Sequence, residues 1–302
     1  FRFLAPQVDD THLVQLKSIL RLFYDKTMGY NINDRSCQIT GLSGMDYPTL
    51  SELLAFVEKD RDHIINYDEV RAIRDIKLER IERLTLYLDD AVKNMGRIFD
   101  GHTTLPNIYD QPCVFYNMEN LRNLDSKVFD AQLYTAFSGL MDNMIYVGLP
   151  QKERIDAGTL RVEDARFYGV YVDESHNFVS AKKPHAIRVV DSFSREARKY
   201  LAGVHLVAHS IRDHCPTDAT QEGMDQMKNI FSFAQYKMIV RQGTDAVETL
   251  RDVFGDDIPA NDLQAVPTFQ QGECILAISG ANAIRFQIDL SEEDKALYTG
   301  GA

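Results

Sequence analysis

Residues 167–176 read Phe167-Tyr168-Gly169-Val170-Tyr171-Val172-Asp173-Glu174-Ser175-His176. The stretch Tyr168–Val172 is apolar at odd and even positions alike. That predicts a strand buried on both faces, the middle of a parallel sheet covered by helices. Such sheets carry their chemistry just beyond the carboxyl ends of the strands, and two adjacent carboxylates, Asp173 and Glu174, stand there. Working outward, strand and helix signals alternate. Cys113–Tyr116 reads as a short strand, and Leu133, Phe137, Leu140, Met144 and Val147 line a helix. After the acids, a helix from Ser192 to Leu201 is stopped by Gly203 and feeds a strand, Val204–Ala208. Helix Met224–Phe231, strand Tyr236–Val240 and helix Thr244–Phe254 follow. Two closing strands, Cys274–Ser279 and Ala283–Ile288, are joined by a turn at Ser279-Gly280-Ala281-Asn282. This alternation predicts an α/β fold with a mainly parallel sheet and right-handed crossovers.

The first hundred residues have a different rhythm. Leu13, Leu16, Leu20 and Phe23 recur at helical spacing. Thr49-Leu50-Ser51-Glu52 is a capping box that opens a helix burying Leu50, Leu53, Leu54 and Val57. Ile81, Leu84, Leu88, Met95 and Phe99 predict one long helix over Asp75–Phe99. Its Arg74, Lys77, Arg80 and Arg83, mixed with acids, read as a solvated face. Gly101 and Pro106 close this part. The expected division is a helical subdomain over residues 1–105 and an α/β core over 106–302.

Composition narrows the function classes. The net charge of −12 argues against a broad basic surface for duplex DNA, while leaving room for a local basic pore. The four cysteines are far apart and show no zinc spacing, as expected of reduced thiols in a cytoplasmic protein. No apolar run approaches the roughly 20 residues that span a bilayer. The chain begins at Phe1, which reads as a piece of something longer.

Asp-Glu at a strand end is the Walker B pattern of nucleotide-driven ATPases. In that reading Asp173 holds Mg²⁺, directly or through water, and Glu174 orients and deprotonates the attacking water. The bland alternative is a pair of solvated strand-end acids. The next strand ends in His209 and Ser210. Adjacent parallel strands end on one edge, so these two are expected beside the acids, sensing the γ-phosphate or holding the lytic water. Arg195 and Arg198, on the intervening helix, are candidates to complete a nucleotide site, Arg198 as a finger reaching a neighbour. Their bland reading is surface pairing with Asp191 and Glu196. His205 and His209 are four apart, but on a strand and without the glutamate of HExxH, so zinc chemistry is disfavoured. Asp-Glu-Ser-His also resembles the DExH box of helicases. No GxxxxGK[ST] loop occurs in the 302 residues, which predicts that the P-loop strand precedes this stretch.

In order and spacing, several segments resemble the C-terminal ATPase domain of VirB4-type proteins. These are conjugation and type IV secretion motors that include TraC- and TraE-like members. The matching pieces are Asp46–Leu53, Phe99–Thr103, Val114–Leu121, the acidic strand with Asp173-Glu174, the Arg195/Arg198-Lys199 helix and Ala208-His209-Ser210. The resemblance implies a RecA-like core with a helical insertion, ATP and Mg²⁺ as cofactors, and oligomerisation, often as a hexamer. It implies other secretion proteins as partners, and a cytoplasmic location peripheral to the inner face of the membrane. DNA is a possible substrate that nothing in the sequence requires. By the family pattern Asp173 is the metal-side acid and Glu174 the catalytic acid. His209 stands where many relatives have a glutamine after a threonine, and that threonine is here Ala208. The overall type looks closest to conjugative elements of Gram-positive bacteria. The alternatives are a non-hydrolysing, degenerate RecA-like module of the same machinery, or a DNA-pumping ATPase of the FtsK or HerA type.

Overall fold

The structure is a computed structural model. It describes the chain apart from residues 2, 3, 6, 32, 35, 38, 40, 41, 68–70, 104–107, 109, 110, 122 and 298–302, and apart from the side chains of 63–67 and 71–73. Pro106, expected to close the helical part, lies outside the described residues. Two compact units are present, Phe1–Ala131 and Gln132–Ala302.

The first unit is helical: α1 (Asp10–Met28), α2 (Leu50–Tyr67), α3 (Arg71–Lys93) and α4 (Gly96–Phe99). Asp9 caps α1 by accepting from His12 N at 3.0 Å, and Gly29, at φ 67, ends it in the left-handed conformation that costs glycine little. The box opening α2 forms as read: Thr49 N donates to Glu52 Oε2 at 2.6 Å and Glu52 N to Thr49 Oγ1 at 3.4 Å. Leu16, Ile19 and Phe23 of α1, Leu53, Leu54 and Val57 of α2, and Ile81, Leu84 and Leu88 of α3 form one buried core. The single helix expected over Asp75–Phe99 is in fact two. Asn94 turns its side chain onto Asp90 at 2.6 Å, Met95 leaves helical geometry at φ −123, ψ 15, and the chain restarts at Gly96. The strand expected at Cys113–Tyr116 is absent. Those residues have no ladder partner, and Phe115 is 91% exposed. Apolar β-formers make a strand only where another backbone pairs with them.

The long helix α5 (Ser126–Asp156) leads into the second unit. There follow β1 (Tyr168–Val172), α6 (Pro184–Ala197), β2 (Ala202–Leu206), α7 (Ile211–His214), α8 (Gln221–Phe233), β3 (Tyr236–Ile239), α9 (Val247–Phe254), α10 (Ala260–Ala265), β4 (Glu273–Ile278), β5 (Ile284–Gln287) and α11 (Glu292–Leu297). The sheet is not mainly parallel. Among the described residues only β1 and β2 run parallel, and β3-β4-β5 is a separate antiparallel sheet. Between β3 and β4 lie two successive helices rather than one. The second reverses the chain again, so β4 enters from the far end, and a tight turn with Gly280 at φ 81 then returns it as β5. The turn between the closing strands is therefore as read. β2 begins two residues earlier than expected, because the stop is Leu201, at φ 55, rather than Gly203.

The core beneath β1 and β2 gathers Phe137 and Met144 of α5, Val170, Phe178 and Val179, Ile187, Val190 and Phe193 of α6, and Met227 and Ile230 of α8. Phe193 stacks edge-on to Phe137 with centroids 5.0 Å apart. This packing fixes α6 along the strand pair. The polar residues at the carboxyl ends of the strands thus stand on a rigid base. A second core, with Ile239, Leu250, Leu263, Phe269 and Ile275, supports the antiparallel sheet.

Candidate active site

The parallel register builds the site. Val172 pairs with Leu206, and the pairing runs on past the strands. Val207 N donates to Val172 O at 3.0 Å, and Ser175 N to Val207 O at 2.8 Å. Residues 173–176 therefore lie against 207–210. Glu174 turns the chain with φ 49 and ψ 42, a left-handed conformation costing a non-glycine residue about 1–2 kcal/mol. That turn aims its carboxylate across the strand pair. Oε1 lies 2.6 Å from His209 Nε2, and Oε2 lies 3.3 Å from His176 Nδ1. Glu174 is 25% exposed at its side chain and His209 84%. Asp173 is exposed. Its Oδ1 accepts from Glu174 N at 2.9 Å, and its Oδ2 has no partner among the described residues.

A buried layer supports these groups. Ser175 is fully buried, with Oγ 3.1 Å from His214 Nε2 and 2.8 Å from Val207 O. His214 Nδ1 lies 2.8 Å from Val179 O. Burial pushes the His214 imidazole below its ordinary value, with the neighbouring His176 adding to the effect and the Val179 carbonyl opposing it. A neutral ring then donates from Nδ1 to Val179 O and leaves Nε2 3.1 Å from the Ser175 hydroxyl, whose single proton is directed to Val207 O at 2.8 Å. The Ser-His pair is thus a buried brace and has no access to a substrate. Beside it the buried Cys215 thiol is pushed up to about 11 by burial, so it supplies no thiolate at neutral pH.

The other residues singled out from sequence fall in different places. Ser210 stands beside His209, but its hydroxyl accepts from Arg212 N at 3.2 Å while Asp213 Oδ2 accepts from Ser210 N at 3.0 Å. It is the N-cap of a capping box on α7. Arg195 and Arg198 are at the opposite edge. Tyr168 is in register with Ala202, so the residues just before β2 adjoin the start of β1. A five-residue strand, about 16 Å long, separates them from Asp173 and Glu174 of the same chain. Arg195 pairs with both oxygens of Asp191, at 3.0 and 2.9 Å, and lies 4.2 Å over the Phe233 ring. Lys199 pairs with Glu196 at 2.9 Å, and Arg198 is exposed at the end of α6. The His205 ring stacks on Tyr171, centroids 4.3 Å apart and 5° from parallel. No cluster of three or more His, Cys, Asp or Glu side chains suited to a metal ion occurs among the described residues.

Sequence reasoning missed His176, Ser175 and His214, and it missed Gln242. Gln242, beyond the end of β3, donates from Nε2 to His209 O at 2.8 Å and accepts from Ile211 N at Oε1 at 3.1 Å. The only sequence hint is a polar residue just past a strand end. Next to it an open cleft of about 480 Å³ is lined by Ser210, Arg212, Asp213, Thr217, Gly243 and Asp245, with Arg212 and Asp245 paired.

No protein-family model matches the chain. An uncharacterized protein of Bacillus anthracis, pXO2-09, is 26% identical over 302 residues, which is 99% of this chain and 46% of that protein. The chain thus spans about half the length of the curated relative it matches. Among solved structures, VirB4 of Thermoanaerobacter pseudethanolicus superposes with a TM-score of 0.73 at 18% identity, over 97% of this chain and 68% of that one. The class is therefore an α/β protein with a small parallel sheet and a VirB4-like fold. Among the described residues no helix is long and apolar enough to cross a membrane.

Proposed function

We propose that this chain is the nucleotide-hydrolysing part of a conjugation or type IV secretion motor, with a RecA-like core. The observation that carries the reading is the contact of Glu174 Oε1 with His209 Nε2 at 2.6 Å, across parallel strand ends and beside an exposed Asp173. The VirB4-like fold supports the same class.

The residues present fit one end of Mg-ATP. Asp173 offers an exposed carboxylate with one uncommitted oxygen, which suits a Mg²⁺ that keeps several waters. No GxxxxGK[ST] motif occurs in the 302 residues, so the proposal gives them the metal and water side of the nucleotide and no P-loop cradle for its phosphates. When bound, Mg-ATP would supply a charge-neutralised γ-phosphoryl group for attack by water. Glu174, gripped by His209 and facing His176, accepts the proton of a water held at the strand edge. His209 holds the carboxylate in position and presents its free Nδ1 to solvent. Arg198 serves no site in its own chain and faces a neighbouring subunit in an oligomer. The cytoplasmic face of the membrane and secretion proteins are the proposed setting.

Phosphate release from Mg-ATP tests the reading in the protein that joins this chain to a phosphate-binding loop. Steady release that Arg198→Ala reduces, and that mixing Arg198→Ala with Asp173→Ala partly restores, is expected. No release above the uncatalysed level would overturn the enzyme reading in favour of a non-hydrolysing module. Release with no recovery in mixed oligomers would remove Arg198 from the site.

A further inference from the structure

We propose that Gln242 is a positioning residue for Glu174, acting through His209. The inference rests on the reading of Glu174 as the base.

The argument starts from His209. Its side chain is 84% exposed, so almost nothing packs against it. An exposed imidazole loses rotamer freedom when held in one contact, and only its backbone can offset that cost by starting in the right place. The backbone here is gripped by side chains. Gln242 donates to His209 O at 2.8 Å and accepts from Ile211 N at 3.1 Å, taking the peptide groups on both sides of Ser210. Asp213 takes Ser210 N at 3.0 Å. Three hydrogen bonds from two side chains therefore set the path of residues 209–211. Of these, Gln242 alone bonds to His209 itself and comes from another strand end. Asp213 belongs to the helix that Ser210 caps. A primary amide is suited to the task, since it presents one donor and one acceptor side by side. Glutamate has the same shape but sets an oxygen against the His209 carbonyl. The Glu174 carboxylate has its other contact, His176, within its own turn. His209 is thus the group that ties it to the neighbouring strand.

The test reads the contact directly, without ATP. In the 302-residue protein with labelled histidine and glutamate, the imidazole protons of His209 and the γ-protons of Glu174 should show a nuclear Overhauser effect. Gln242→Ala should abolish it, and so should Gln242→Glu, while the chemical shifts of the Phe137 and Phe193 core stay in place. A residue that only braces α7 would lower the melting temperature in both variants and leave the effect intact. That result, or the absence of the effect in the parent protein, overturns the proposal. If Gln242→Ala does not fold, Gln242→Glu and Gln242→Leu, of similar volume, carry the test. Normal turnover in a Glu174→Gln protein would sink the catalytic reading and would leave the Gln242 dependence of the contact standing, so the two failures are distinguishable.

Discussion

The two edges of the β1–β2 pair are built differently. At the carboxyl edge, polar groups from four separate stretches converge: Glu174 and His176, His209, His214 and Gln242. Part of that network is buried, and the contacts that join one stretch to another span 31 to 39 residues of the chain. At the amino edge, the charges pair with neighbours three or four residues away on the same helix, Arg195 with Asp191 and Lys199 with Glu196, in open solvent. Short-range pairs of that kind form in an isolated helix and contribute little. Long-range polar contacts exist only if the fold brings them together, and the chemistry proposed for this chain is placed where several of them converge. Charge density alone would have pointed to the amino edge.

The contrast predicts graded effects. The largest is Glu174→Gln, which keeps shape and removes the base; hydrolysis should slow by roughly 10²–10⁴-fold. A phosphate-release assay at saturating Mg-ATP reads this, and turnover within a factor of about two would remove the carboxyl edge from the chemistry. Next is His214→Asn, which breaks the buried brace and should cost about 1–3 kcal/mol in a denaturant titration at pH 7. His214 also makes stability depend on pH. Burial holds its folded value below the unfolded value of about 6.5. As pH falls below that value the unfolded chain takes up a proton that the folded chain refuses, and stability falls until the folded imidazole titrates too. The contribution is complete above about pH 7, and His214→Asn should flatten the acid side of the stability profile. An unchanged slope would show that the ring is not held neutral. Smallest is Arg195→Ala at the amino edge. It should leave the denaturation midpoint almost where it was, since its pair is exposed and its place over Phe233 is half in solvent. A loss as large as that of His214→Asn would erase the difference between the edges.

Some of this was legible in the sequence and some could not be. The apolar run Tyr168–Val172 ending in two acids is a local pattern, and the strand and the position of the acids follow from it; burial on both faces does not, since only Val170 is buried, Tyr171 is 75% exposed, and β1 pairs with β2 alone among the described residues. His209 could be placed because parallel neighbours end together. Ser210 was located correctly, yet its hydroxyl caps α7, a role decided by Asp213 three residues on. The alternation of strands and helices does not encode how often the chain reverses, so β3 and β4 looked parallel, whereas the hairpin turn joining β4 and β5 was legible in Ser279-Gly280-Ala281-Asn282. Cys113–Tyr116 has strand composition but no pairing partner. Gln242 was invisible because a side chain gripping a backbone 31 and 33 residues away leaves no periodicity.

The central claim is that the two acids divide the work, Asp173 on the cation and Glu174 on the water. It is tested most directly by titrating Mg²⁺ during ATP turnover in Asp173→Asn beside Glu174→Gln, in the protein that carries the phosphate-binding loop. The account predicts that Asp173→Asn raises the Mg²⁺ concentration needed for half-maximal turnover. Glu174→Gln should lower the maximum and leave that concentration where it was. Two variants that move the same parameter, or neither, would contradict it.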